Sequence, residues 1–197
     1  MNKSILLLGT SNVGKINEFF FYINIYNLFK DYTIKTLKDF SEIHEPDESS
    51  NNFDGNALIK AKSFYKQTQL KTLSDDSGFI IDSKNKFPGV RTARLAKDKG
   101  GYLEAISSIF SKYEGDIEIP ATFFCSLCLF DNKKIIKASG EIDGKLIREP
   151  RGKLGFGYDS YFVPNNNHKT YGEMEKEEKL LHSHRNSAFK KISKCII

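Results

Sequence analysis

The stretch SILLLGTSNVGKINEFF, residues 4–20, carries parts that bind phosphate. Gly9, Gly14 and Lys15 match the spacing G-x-x-x-x-G-K. Ile16, however, stands where such loops place the Ser or Thr hydroxyl that holds a metal ion. A strand that enters a helix through small residues presents free N–H groups at the positive end of the helix dipole, and Lys15 adds a full charge. Thr10, Ser11 and Asn12 add short polar donors. The loop therefore reads either as a phosphate site or as a plain turn capping a helix. A metal ion in such a site must be held elsewhere in the chain.

Carboxylates are the place to look for it. SDDSG sets Asp75 and Asp76 beside a Gly after a short strand. Paired carboxylates at a strand end suit a hard cation such as magnesium, or a general base that activates water. An Asx-turn, in which Asp caps a bend, accounts for the same residues. The polar segment HEPDESSNN (44–52) and the residues just before it hold Glu42, Glu45, Asp47 and Glu48. Any of these can complete a metal site, and a solvated loop has the same composition.

Two further segments carry recognition chemistry. In GFGYD (155–159), Phe156 can stack on a base and Asp159 can accept from a base or sugar; a Gly-rich turn with core aromatics looks alike. EEKLLHSHR supplies Lys179, His184 and Arg185. His182 and His184 are two apart, which puts them on different sides of a helix and argues against a metal pair. A helix start at Ser183-His184-Arg185 offers N–H groups and a guanidinium to an anion or carbonyl.

The elements that must position these residues alternate. Short strands are expected at 4–8 and 32–37, with helices at 14–29 and 53–68, the latter capped by Asn51 or Asn52. KTLS leads into DDSG and FIID leaves it, FPGVRTARL reads as a loop, and a helix covers 101–114. Long strands at 119–130 and 134–147 meet at a tight turn in DNKK. REPRGKLGFGYDS is a Gly- and Arg-rich loop, YFVP a strand, and two helices, EKEEKLL and HRNSAFKKIS, follow, with Ser183 as N-cap. Glu175 and Lys179 have the spacing of a helical ion pair. The pattern is α/β with a substantial antiparallel portion.

The chain has 197 residues, enough for one compact domain or two joined lobes, and its net charge is +5. Scattered basic residues argue against a nucleic-acid-binding tail, and no segment is long and apolar enough to span a membrane. With no leader pattern at the start, and with Cys195 misplaced for prenylation, the expected location is the cytoplasm. Cys125 and Cys128 have C-x-x-C spacing, but they sit in the apolar strand ATFFCSLCLF. Residues three apart on a strand face opposite ways, so both are expected to be core thiols.

In order and spacing, TSNVGKINEF, NALIKAK, LSDDSG, PGVRTARL, GFGYDSYFVP, KTYGEM, EEK and SHRNSA closely resemble the inosine triphosphate pyrophosphatase (Ham1-like) family, from about Leu6 to about Ile192. The resemblance implies a single α/β domain over residues 1–197, with an elongated mixed sheet flanked by helices and two lobes around a central cleft. It also implies a homodimer. The implied activity is magnesium-dependent cleavage of ITP, dITP and XTP to the monophosphate and pyrophosphate, with manganese as a substitute metal. Neither nucleic acid nor membrane is an implied partner. Residues Thr10, Ser11, Asn12 and Lys15 would bind the triphosphate. Asp76 would take the metal and water-activating position, with Asp75 the alternative base and Ser77 beside the substrate. Glu48 or Glu42 would complete the metal site. Phe156, Gly157, Tyr158 and Asp159 would contact base and ribose. Lys179, His184 and Arg185 would close over the nucleotide, and Arg94 would lie near the site. Three positions depart from the family pattern. Gly55 replaces the usual Glu before Asn-Ala, with Asp54 one place earlier. Ser160 replaces Pro, and Gly172 replaces Ala.

Two rival functions remain at this point. A P-loop NTPase or phosphotransferase would release phosphate or phosphorylate an acceptor, and would carry Ser or Thr at position 16. A non-enzymatic nucleotide- or nucleic-acid-binding module would show a clustered basic face and steep salt dependence.

Overall fold

The structure is a computed structural model that describes residues 4–82, 86–113, 115 and 117–196. The strands are β1 (Ser4–Gly9), β2 (Tyr32–Thr36), β3 (Lys71–Asp82), β4 (Phe87–Pro88), β5 (Glu118–Phe130), β6 (Ile135–Ile147) and β7 (Phe162–Pro164). The helices are α1 (Val13–Ile25), α2 (Phe53–Thr68), α3 (Thr92–Lys99), α4 (Tyr102–Phe110), α5 (Lys176–Leu181) and α6 (His184–Ile196). The strands form one mixed sheet in the order β2-β1-β3-β5-β6-β7, with β4 added to β3. Strand β1 runs parallel to both β2 and β3, pairing Leu6 with Ile34 and Gly9 with Ser74. Strand β6 runs antiparallel to β7, with Lys145 opposite Val163.

The chain divides into two compact units. The first lies within Met1–Asp76, Cys125–Gly140 and Arg185–Ile197. Its β1 is buried from Leu6 to Leu8, as expected for a parallel strand covered on both faces. Helix α1 lays Phe19 and Tyr22 against Phe189 of α6, at ring distances of 5.2 and 4.9 Å. Fully burying each such ring contributes about 1.5–3 kcal/mol. The helix begins where Asn12 Oδ1 accepts from the Lys15 N–H at 3.0 Å. It ends at Ile25 rather than running on to residue 29, because Asn27 and Phe29 adopt left-handed φ values of 52° and 54°. Helix α2 spans the expected residues, and Asn52 is its cap, accepting from the Gly55 N–H at 2.8 Å.

The second unit, Ser77–Phe124 and Glu141–His184, has an aromatic core. Phe123 stacks on Phe162 at 4.0 Å, and Phe79 meets Tyr158 edge-on at 4.8 Å. Here FPGVRTARL differs from expectation. Pro88 and Gly89 punctuate only its start; Gly89–Arg91 make a 3₁₀ turn, and Thr92–Leu95 open α3, which ends at the left-handed Gly100. The helix expected over 101–114 covers Tyr102–Phe110, and Glu114 lies outside the described residues. The expected hairpin turn at DNKK is present, with Asp131 Oδ1 accepting from the N–H groups of Lys133 and Lys134 at 3.2 and 2.9 Å.

The largest departure concerns SDDSG. The segment lies inside the continuous strand β3 rather than at a strand end or in an Asx-turn. Gly78, which suggested a bend, serves close packing instead. A Cβ there would lie 2.4 Å from Thr92 Oγ1 and 2.7 Å from the Gly89 carbonyl. The Thr92 hydroxyl accepts from the Phe79 N–H at 3.1 Å and donates to Gly89 O at 2.6 Å.

Candidate active site

Within the first unit, β3 carries Asp75 and Asp76 on opposite faces, as successive strand residues must be. Asp75 is fully buried. Lys15 Nζ of α1 lies 3.0 Å from its Oδ2, and Arg185 Nη2 of α6 lies 3.2 Å from the same oxygen. Arg185 is itself buried and also pairs with the buried Glu18 of α1. Asp76 Oδ2 accepts from Asn56 Nδ2 of α2 at 2.9 Å. The Asn56 carbonyl in turn accepts from the Ser50 N–H at 2.9 Å. Lys60, one helical turn after Asn56 and buried, reaches Glu48 Oε1 at 3.2 Å. Three cations, Lys15, Lys60 and Arg185, thus lie among four carboxylates, Glu18, Glu48, Asp75 and Asp76.

The two aspartates have opposite electrostatics. Burial alone would raise the Asp75 carboxyl, but Lys15, Arg185 and Lys60 outweigh it and hold the group well below the usual carboxylate range. Burial pushes Asp76 up to about 6; Lys15 opposes this and the Glu48 charge adds to it. Burial also works against the charged form of Lys60, yet Asp75, Glu48 and Asp76 hold its pKa above the ordinary lysine value.

The residues read from the sequence as a phosphate loop lie between β1 and the first turn of α1. Thr10 is buried and its Oγ1 accepts from the Asn12 N–H at 3.3 Å, while Ser11 and Asn12 are exposed. Ile16 is a core residue, 8% exposed. A hydroxyl at that position would face the core and not a phosphate-bound metal.

As for a divalent metal, no group of three metal-ligating side chains forms among the described residues. Asp76 and Glu48 nevertheless fit a hard cation: both offer oxygen donors, and their like charges act on each other. Magnesium ordinarily takes one or two carboxylates and completes its shell with water and phosphate. Of the loop acids, Glu48 is the one whose charge reaches Asp76; Glu42, Glu45 and Asp47 are exposed.

The second unit builds its own constellation. Asp159 Oδ2 accepts from the Phe156 N–H at 2.7 Å and from Lys179 Nζ of α5 at 2.6 Å. The Lys179 ammonium lies 4.6 Å from the Phe156 ring centroid and 5.8 Å from that of Tyr171. Gly155 must be glycine here, since its φ is +79° and a Cβ would lie 2.1 Å from Asp159 Oδ2. Asp159 and Lys179 thus organise the loop that presents the half-buried Phe156. Asp159 is a buried anchor of Lys179, at 2.6 Å. Tyr158 is a core residue whose hydroxyl donates to Thr92 O at 3.1 Å. Gly157 has a φ of +67°, and Ser77 is half-buried on β3. His184 is buried with its ring edge-on to Phe123 at 5.4 Å. Arg94 is exposed on α3.

Three buried polar residues of this site were not singled out from the sequence: Glu18, Asn56 and Lys60. Their spacing held a signal. Glu18 follows Lys15 by three on the inward face of α1, and Lys60 follows Asn56 by four on α2. The two strand thiols lie as expected. Cys125 and Cys128 are both fully buried, and burial pushes them up to about 12 and about 11.

The sheet order and the flanking helices define an α/β protein with a buried cluster of charges at a helix start. Residues 6–195 match the Ham1 family, and the chain belongs to it. It is 36% identical to the dITP/XTP pyrophosphatase of Dictyoglomus thermophilum, covering 98% of this chain and 94% of that protein. It is 34% identical to the dITP/XTP pyrophosphatase of Aquifex aeolicus, over 95% of this chain and 94% of that one. The structure matches that of a HAM1 protein from Coxiella burnetii with a TM-score of 0.85 and 31% identity, covering 98% of both chains.

Proposed function

We propose that the protein hydrolyses noncanonical purine nucleoside triphosphates (ITP, dITP and XTP) to the nucleoside monophosphate and pyrophosphate. The reading is carried by the full-length match to relatives named dITP/XTP pyrophosphatase. The charge cluster around Asp75 and Asp76 supports it chemically.

The start of α1 and Lys15 bind the phosphates and stabilise the charge of the departing pyrophosphate. Asp75 stays ionised between Lys15 and Arg185 and holds both in place. Asp76, raised toward neutrality, is the carboxylate that takes the proton from the water attacking the α-phosphorus. Asp76 and Glu48 would hold magnesium, or manganese in its stead, which when bound neutralises phosphate charge and orients the chain of phosphates. Phe156 supplies a stacking face for the base. The donors at the start of α6, around His184 and Arg185, suit a 6-oxo purine and disfavour the 6-amino group of adenine. Unpaired buried polar groups discriminate by factors of roughly 10⁴. A homodimer in the cytoplasm belongs to the same reading.

The P-loop alternative is disfavoured by the core position of Ile16. Incubation with ITP, GTP and ATP plus magnesium is the test. IMP and pyrophosphate are the expected products. Inosine diphosphate with phosphate would support the P-loop reading instead, and ITP binding without turnover would support a binding module.

A further inference from the structure

The acidic segment between β2 and α2 has no regular secondary structure from residue 43 to residue 50. It is nonetheless tied to α2 at three points. The carboxamide of Gln67 pairs with both backbone groups of His44: Oε1 accepts from the His44 N–H at 2.8 Å, and Nε2 donates to His44 O at 2.9 Å. That two-point bond imitates one rung of a β-ladder, with a side chain in place of the second strand. Nε2 also donates to Ser63 O at 3.3 Å, which steadies the carboxamide on its own helix. Farther along the segment, Lys60 holds Glu48, and Asn56 accepts from the Ser50 N–H. Asn56, Lys60 and Gln67 lie within about 40° of one another around the helix axis, so a single stripe of α2 makes all three ties.

We propose that Gln67 is a positioning residue for the active site: it fixes the entry of the acidic segment, so that Glu48 is held facing Asp76 before any ligand arrives. The proposal rests on the reading of Glu48 and Asp76 as the metal-holding pair. Two of the three ties come from buried residues that touch the site directly, Asn56 and Lys60. Gln67 is exposed and two helical turns beyond Lys60, so it acts only through the segment. Without its tie, His44 loses both backbone partners, and the entry of the strap is held only by the apolar packing of Ile43 against the cluster of Leu7, Leu37 and Phe64. The fraction of molecules with Glu48 in place then falls, and apparent metal affinity falls with it.

Three variants test this. Gln67→Met keeps length and volume and loses both bonds. Gln67→Glu keeps the acceptor for the His44 N–H and loses the donor. Lys66→Ala, on the exposed side of α2, is the control. Hydrogen exchange of the metal-free, nucleotide-free protein reads the tie itself. Exchange over residues 43–50 is expected to rise on the order of tenfold in Gln67→Met, the factor for two exposed hydrogen bonds, less in Gln67→Glu, and not in the control. Calorimetric titration with magnesium alone is expected to show weaker binding in the same order. In turnover, KM rises while kcat holds. Unchanged exchange in Gln67→Met overturns the clamp. Faster exchange with unchanged magnesium affinity and KM overturns its link to the site. If the wild-type protein does not cleave ITP, the functional reading fails by itself, and the exchange data still decide whether the clamp exists.

Discussion

Exchanging Asp75 and Asp76 one at a time for Asn separates a charge that holds the fold from a charge that strains it. Asp75 has no solvent exposure and faces two cations at 3.0 and 3.2 Å. Its Asn variant leaves Lys15 and Arg185 short of a counter-charge in the interior. Breaking a buried pair in this way costs about 3–5 kcal/mol. Lys15 is 15% exposed, so some of its charge is still solvated and the lower end applies. At roughly 2–4 °C per kcal/mol for a chain of this size, the melting temperature should drop by roughly 6–12 °C. Asp76 is the opposite case. Its carboxyl rises from 3.8 to about 6 on folding, mainly through burial. Between those values the folded state binds more protons than the unfolded chain, so stability falls as pH rises through that window. At roughly 1.4 kcal/mol per pH unit, ionised Asp76 costs the metal-free fold up to about 3 kcal/mol at pH 8. Asp76→Asn should therefore unfold at or above the wild-type temperature at pH 8 in EDTA, and this advantage should vanish by pH 4. Thermal unfolding over pH 4–8 and initial ITP hydrolysis rates are the assays. Loss of the proton acceptor should cut kcat by about 10²–10⁴-fold in Asp76→Asn. Asp75→Asn should chiefly raise KM, since Lys15 loses its anchor. Equal destabilisation by both variants at pH 8 would refute the division of roles, and so would near-normal turnover by Asp76→Asn.

Other outcomes follow from single observations. Asp75 also sets an acid limit: its depressed carboxyl contributes stability that is complete above 3.8 and lost as pH falls below it. Stability of the Asp75→Asn variant should accordingly be flatter in that acid range. Gly172→Ala should cost about 1–3 kcal/mol in chemical unfolding, because its Cβ would lie 2.7 Å from both Arg151 O and Ser160 Oγ. A thiol reagent should modify Cys195 quickly in the native protein and reach Cys125 and Cys128 only on unfolding, since only Cys195 is exposed. Hydrolysis should stop in EDTA and return with magnesium or manganese; full activity in EDTA would remove Glu48 and Asp76 from the metal role.

Helix α2 and the long strands were legible because their periodicity and caps are local: α2 and its Asn52 cap appear where the pattern puts them. SDDSG was misread because composition cannot distinguish a Gly that bends a chain from one that admits a neighbour. Gly78 is the second kind, and Thr92, which requires it, lies across α3's start. The same blindness covered α3 itself, where a Pro-Gly pair at the entry hid a short helix behind it. The candidate carboxylates and Lys15 were visible as residue types. Their division of labour was not, because it depends on how many cations each buried oxygen meets. Asp75 and Asp76 are adjacent and chemically identical, and only the pleat, which sends them to opposite faces, makes one a fixed anion and the other a group near neutrality.

The three departures from the family pattern become intelligible in the same terms. At position 55 a Cβ would lie 2.0 Å from Ser50 Oγ, so any side chain there would displace the residue whose N–H is held by Asn56. The acid one place earlier, Asp54, does not substitute for it in the charge cluster; it accepts from the buried Ser126 hydroxyl of β5. Asp54 of the first turn of α2 is thus engaged with β5, and in the proposed metal site the second carboxylate is Glu48, paired with Lys60. The other two departures form a pair. Gly172 donates its N–H to Asp159 O and accepts from the Leu154 N–H, each at about 3 Å. It can come that close because it has no Cβ to meet Ser160, whose hydroxyl donates to Gly152 O at 3.1 Å. Both ends of the loop that presents Phe156 are therefore closed by backbone contacts that a side chain at position 172 would prevent. A change at either position should be judged with the other in view, because the two share one space.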